Sequence, residues 1–343
     1  MAVYGILLES KHDYSSVDRA FESVGQNTGN LLFRDALVRE LSLIQMTYDE
    51  YMSMKGVFKN LPIIVTDLIW INENSNFDYL YQRVIDNPDV KFVPISVGLQ
   101  SKEKKEDFVL NESVKKTLMA IQERATIGVR GYYTASVLEK NGIKNIEVIG
   151  CPSMYRMMNP DFVIEKKESI KNVTANFRTI YGSLSRDEKH FLSYCTSNHF
   201  GFVEQTRHQL EINNVNDEKY FNYVNPWIKA NKRLFFDVAE WEKYIKEYDF
   251  SIGARFHGNV IAIWNRVPAL FIAIDSRTSE MIEYFKLPSI KIKEFDETKP
   301  IMHYYEMADY TDFNANYKNA YKRYIDFLNK NNVLVDSSIK VHL

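Results

Sequence analysis

Arg255, Phe256 and His257 fall in the turn between an apolar run that reads as a strand, Asp249–Gly253, and one that reads as a helix from Asn259 onward. A helix entered directly from a strand leaves free backbone N–H groups and a partial positive charge in its first turn. An arginine and a titratable imidazole there make an anion site with a proton acceptor or donor beside it. The N–H groups of residues 256–259 add dipolar stabilisation. The alternation continues through a second apolar run to Asp275, Ser276 and Arg277. Asp275 reads as the N-cap of a helix over Ser276–Phe285 or as a group in a ligand cleft. Arg277 can hold an anion or answer Glu280 or Glu283.

Further candidates lie earlier in the chain. Arg130 ends the strand-like run Thr126–Val129 and offers a second cation. Gln205 ends the run Gly201–Gln205, just before Thr206, Arg207 and His208, and is an acceptor-site candidate. Asn27, Gly29 and Asn30 form a turn that can wrap a ligand with backbone N–H groups or simply turn the chain. His199 and His208 read as surface or packing residues. Cys151 and Cys195 have no metal-type spacing, and no zinc set, P-loop or dinucleotide fingerprint is present. No metal and no bound cofactor are therefore expected.

These residues need a scaffold, and the chain alternates strand-like and helix-like segments, as an α/β protein with parallel sheets does. Strands are predicted at Leu61–Val65, Lys91–Val97, Thr126–Val129 and Ile146–Ile149, with a helix from about Thr134 that stops at Gly142. Residues 154–169 lack a clear period and suit a linker. A second series follows: a strand over Val173–Tyr181, a helix over Arg186–Ser197, and strands at Gly201–Gln205 and Leu234–Phe236. The helix Val238–Tyr248 completes it, and Tyr310–Asn329 reads as a terminal helix packing back on the body. The division expected is an N-terminal domain over residues 1–160, a C-terminal domain over 161–310 and the terminal helical segment over 311–343. Ligands of open parallel sheets bind beyond the carboxyl ends of the strands, which puts the site between the two halves.

Bulk properties narrow the function. The 43 Lys and Arg nearly cancel the 45 Asp and Glu, so charge gives no support for nucleic-acid binding. The apolar runs Leu61–Ile71 and Val260–Ile274 are interrupted by Asp67 and by Asn265 and Arg266, so neither spans a bilayer. The apolar start runs into Glu9 without a basic leader and reads as a first strand rather than a signal peptide. With only two cysteines, a reducing cytoplasm is the expected location, with contact at the inner face of the membrane left open. Of the 22 tyrosines, most are expected to pack, and some to line a sugar site.

Several segments together resemble the polysaccharide pyruvyl transferase family: Gly25 to Asn30 before a helix, Ile127–Arg130 with Ser136 and the Ile146–Ser153 stretch behind it, and Gly253–Gly258 through Pro268 to Arg277. The resemblance covers about residues 20–290, in order. It implies two Rossmann-like domains in a GT-B-like arrangement with an interdomain cleft. It also implies transfer of the pyruvyl group of phosphoenolpyruvate, a co-substrate, onto a saccharide acceptor, free or lipid-linked, with release of phosphate and formation of a cyclic ketal. Carried over, Arg130, Arg255 and Phe256 meet the donor and His257, titrating near neutrality, activates an acceptor hydroxyl. The turn after Arg130 is Gly131, Tyr132 and Tyr133, where the family pattern has an acidic residue. The competing activity is glycosyl transfer from a nucleotide sugar on a similar fold, with Glu280 as a candidate ribose partner.

Overall fold

The computed structural model describes residues 4–6, 13–59, 61–66, 68–101, 103–105, 107–155, 159–178, 184–206 and 218–333. Two parallel sheets organise it. In the first, β1 (Tyr4–Ile6), β2 (Ile44–Met46), β3 (Pro62–Val65) and β4 (Lys91–Pro94) lie in the order β2-β1-β3-β4. β5 (Ile127–Val129) and β6 (Ile146–Val148) extend it through a parallel bridge from Val97 to Val129. There Val97 N donates to Gly128 O and Arg130 N to Val97 O, each at 2.8 Å.

The second sheet holds β7 (Val173–Asn176), β8 (Gly201–Val203), β9 (Lys232–Arg233), β10 (Phe250–Gly253), β11 (Ala269–Ala273) and β12 (Ser289–Lys291). Their order is β12-β11-β10-β7-β8-β9. The chain thus winds outward from β7 in one direction and from β10 in the other, and between those two strands a crevice opens at the carboxyl ends. β3, β7 and β10 are buried along their whole length, as parallel strands covered by helices on both faces must be.

Local signals set several helices. Ser185 and Glu188 form a reciprocal capping box at the start of the helix Arg186–Ser197. Asp275 accepts from Thr278 N and caps Ser276–Phe285, as its spacing predicts. The terminal helix Thr311–Lys330 buries Tyr317, Tyr321 and Tyr324 at helical spacing and returns to the first sheet. There Tyr324 stacks on Tyr155 with centroids 4.4 Å apart, and Asn331 bonds the backbone of Thr126 on both sides.

Some elements differ from expectation. The helix Glu218–Asn231, not among the elements expected from the sequence, forms although Pro226, an interior helix breaker, lies within it. The strand expected at Leu234–Phe236 lies at Lys232–Arg233, leaving Phe235 to stack on Trp241 at 5.7 Å. The strand from Lys91 stops at Pro94 because Ser96 turns into the left-handed region, φ 61°. β7 likewise stops at Asn176. Expectations for residues 1–3 and 7–9, Asp67, Lys102, Tyr181, Arg207, His208 and 334–343 lie outside the described residues.

Candidate functional site

The crevice at the β7–β10 switch point continues into a cavity of about 200 Å³ between the two sheets. Asn27, Asn30, Arg130, Gln205, Arg255, Phe256, His257, Asp275 and Arg277 all line it. Gly29 stands just behind. A Cβ there would come within 2.4 Å of Gln205 Oε1 and 3.0 Å of His257 Nδ1, so only glycine lets the first loop approach this closely. The loop is tied to the second sheet by Thr28 N donating to Gln205 O at 2.7 Å and by an antiparallel bridge from Asn27 to Thr206. The side chains of Asn27 and Asn30 shape the loop itself, through Gly29 N and Val24 O.

Asn176, at the end of β7, organises the turn that carries Arg255 and His257. Its Oδ1 accepts Arg255 N at 2.9 Å, and its Nδ2 donates to Asn259 Oδ1 at 2.6 Å and Ser251 Oγ at 3.1 Å. Asn259 closes the network on Gly253 O, so it is structural. Arg255, the N-cap of the helix Phe256–Trp264, provides no side-chain cap to the first turn. Its guanidinium turns to Glu204, which is fully buried: Arg255 Nη2 meets Glu204 Oε1 at 2.8 Å and Thr206 Oγ1 at 2.9 Å. Glu204 and Asn176 escaped the sequence reading. The one hint they leave is a polar residue at the carboxyl end of an apolar strand.

Arg130 is in a different electrical state. It is 6% exposed, its Nε reaches Ser96 Oγ at 3.4 Å, and among the described residues no carboxylate forms an ion pair with it. Arg277 pairs with Asp275 at 3.0 Å. Burial raises the Asp275 carboxyl, but Arg277 and the bonds from Thr278 outweigh this and hold it below the usual range. Among the described residues, the buried donors Gln205 Nε2, Arg255 Nε and Arg277 Nε have no acceptor. A buried guanidinium with no direct ion pair, acted on only at longer range by Glu280 and Asp275 and surrounded by surplus donors, suits an anion.

His257 departs from the expected near-neutral titration. Burial first, then Arg130 and Arg277, bring its pKa down to about 3. The ring still opens partly on the cavity, where solvent moderates the burial effect, but the two guanidiniums push the same way. The imidazole is neutral at neutral pH and can accept a proton. Its Nε2 lies 3.6 Å from Cys151 Sγ, a buried thiol that also accepts from Ser153 Oγ at 3.1 Å. Burial raises the pKa of this thiol, keeping it protonated. In the sequence Cys151 stands in the strand-end stretch Ile146–Ser153 that carries the resemblance, with no role of its own.

Glu280 cannot serve a ribose. It is fully buried outside the cavity lining and accepts from Thr134 N at 3.0 Å and Thr134 Oγ1 at 2.9 Å. It thereby supplies, from the opposite domain, the acidic group that the turn after Arg130 lacks. Burial pushes its carboxyl up to about 7. Among the described residues no tyrosine lines the cavity, and Phe256 and Trp70 are its carbocyclic aromatic residues. Among the described residues no group of three or more His, Cys, Asp or Glu is placed to hold a metal, and no helix is long and apolar enough to cross a membrane.

The architecture is shared with solved structures. S. aureus MnaA in complex with UDP matches with a TM-score of 0.53, covering 97% of this chain and 98% of that one at 9% identity. The Neisseria meningitidis UDP-GlcNAc 2-epimerase bound to UDP-GlcNAc gives 0.50, covering 96% and 100% at 10% identity. At such identities the likeness establishes the fold alone: two Rossmann-like domains in a GT-B-like arrangement with an interdomain cleft. No curated protein sequence matches the chain. The family model of polysaccharide pyruvyl transferases spans residues 27–276, from the loop that closes on Gln205 to the first residue of the Asp275-capped helix, and the chain belongs to that family.

Proposed function

We propose that the cavity binds phosphoenolpyruvate and that the protein transfers its pyruvyl group to a saccharide of a surface polysaccharide or its precursor. The observation that carries this is Arg130, buried without an ion pair at the wall of a cavity that Arg255 and Arg277 also line. Phosphoenolpyruvate brings a phosphate and a carboxylate on a short rigid skeleton, matching several guanidinium forks around a small space. The nucleotide-sugar alternative has lost its ribose partner, since Glu280 is engaged by Thr134.

In the reaction two hydroxyls of the acceptor give up protons. One proton ends on the methylene carbon of the donor, which becomes a methyl group, and the other leaves with phosphate. Two C–O bonds form at C2 and the bond to the phosphate oxygen breaks, leaving a cyclic ketal. His257 is the group we assign to the first hydroxyl. A bound anion offsets the charges of Arg130 and Arg277, two of the three causes that depress its basicity, so donor binding primes the base. General-base help of this kind is worth about 10²–10⁴-fold.

The test is thermal stability in the presence of phosphoenolpyruvate, UDP, CMP or GDP, for the wild type and Arg130→Met. A ligand selective for the folded state raises the midpoint. Stabilisation by phosphoenolpyruvate alone, lost in the variant, is expected. Stabilisation by a nucleotide instead would overturn the assignment. A His257→Ala protein that still binds the donor should lose phosphate release in the presence of acceptor; unchanged release removes the base from His257.

A further inference from the structure

Trp70 is 51% exposed at the cavity wall, whereas Trp227, Trp241 and Trp264 are all at least nine-tenths buried. Its backbone is nevertheless fixed. Leu68 and Ile71 on either side are fully buried. Gly98 N donates to Leu68 O at 3.1 Å, Ile71 N to Gly98 O at 2.9 Å and Gln100 N to Ile71 O at 2.7 Å. The loop between β3 and the helix Asp78–Asp86 is therefore stitched to the continuation of β4 immediately before and after the ring. A half-exposed indole on a fixed backbone at the lip of a cavity offers a surface against which a ligand can pack.

The same backbone supports the anion end. A Cβ at Gly98 would stand 3.2 Å from Cδ and Nε of Arg130, so this residue backs the arginine as well as the Trp70 loop. The stacking surface and the buried cation share one support, which sets the distance between their ligands.

We propose that Trp70 is the platform on which the acceptor pyranose stacks, its C–H face against the indole and its diol turned toward the donor at Arg130. The assignment rests on the pyruvyl-transfer function proposed above. A sugar ring fits because it is amphipathic as the indole is, with an apolar face and polar edges. The probes are methyl β-glucopyranoside and methyl β-galactopyranoside, which offer free hydroxyl pairs, each titrated with phosphoenolpyruvate present. As the exposed tryptophan, Trp70 dominates the quenching of fluorescence by iodide. Either glycoside should reduce that quenching and shift emission to the blue in the wild type, and the signal should vanish in Trp70→Phe. In Trp70→Ala the KM for the acceptor should rise roughly tenfold, while stabilisation by phosphoenolpyruvate stays as in the wild type. Unchanged quenching with both glycosides, or an unchanged KM, overturns the platform, as does protection of Trp70 by UDP rather than by a sugar. Protection by a glycoside in a protein that phosphoenolpyruvate does not stabilise keeps the platform and removes the donor assignment instead.

Discussion

The two walls of the cavity hold their arginines in opposite electrical states. On the second-sheet side Arg255 is paired with the fully buried Glu204, and Arg277 with Asp275. On the first-sheet side Arg130 is more enclosed than either and has no ion pair among the described residues. Paired guanidiniums are already largely neutralised and serve mainly as oriented donors, whereas one without a direct ion pair keeps more of its charge for a ligand. On the function proposed above, this contrast makes Arg130 the main attractor for the anion and leaves Arg255 to keep the turn around His257 in shape. On the same proposal, the wall that binds most strongly is the one that costs the free protein most.

The largest effect is expected at Arg255. Its removal in Arg255→Ala takes the guanidinium from the buried Glu204, whose Oε1 keeps the bonds from Gln205 N and from Thr206 N and Oγ1, and should cost about 3 kcal/mol of stability in urea unfolding. Adding Glu204→Gln should recover much of that loss. Simple additivity of the two substitutions would mean that the ion pair is not what stabilises this wall.

Arg130 should behave the other way round. Arg130→Met should weaken phosphoenolpyruvate binding by roughly 100-fold, as loss of a buried, ligand-paired charge does, while the ligand-free protein melts no lower than the wild type. Calorimetric titration and an unfolding curve on the same preparation decide it. A clear drop in ligand-free stability with binding intact would make Arg130 structural and erase the contrast between the walls.

This contrast was not legible in the sequence, although its members were. Arg130, Arg255, His257 and Gln205 stand at strand ends, which is enough to gather them at one crevice. The Asp275 cap and the Ser185–Glu188 capping box are local patterns, and both form as spacing dictates. What spacing cannot carry is partnership across the chain. Glu204 meets Arg255 over 51 positions and Glu280 meets Thr134 over 146. The depressed basicity of His257 is the same kind of fact, since two of its causes, Arg130 and Arg277, lie on opposite sheets' loops. Local breakers do not decide in the other direction: a helix of 14 residues forms through Pro226 because packing overrides its propensity. Trp70 reads as one more apolar residue until its two neighbours are seen to be buried and pinned.

The smallest effect tests how the walls are joined. Glu280 reaches from the second domain to the start of the helix Tyr132–Lys140, directly behind Arg130. Its carboxyl has a folded pKa near 7 against an ordinary 4.5, so between those values the folded protein holds a proton that the unfolded chain has released. Stability from this group is complete below the unfolded pKa and is lost as pH rises through the folded one. The loss should reach roughly 2 kcal/mol between about pH 5 and pH 7. Glutamine keeps the acceptor for Thr134 N and cannot ionise. Glu280→Gln should therefore flatten this part of the stability profile and leave the variant relatively more stable at about pH 8. Unfolding curves at several pH values measure it. A variant that keeps the wild-type slope would place the titrating group elsewhere, and one uniformly weaker at every pH would make the carboxylate itself the better bridge between the walls.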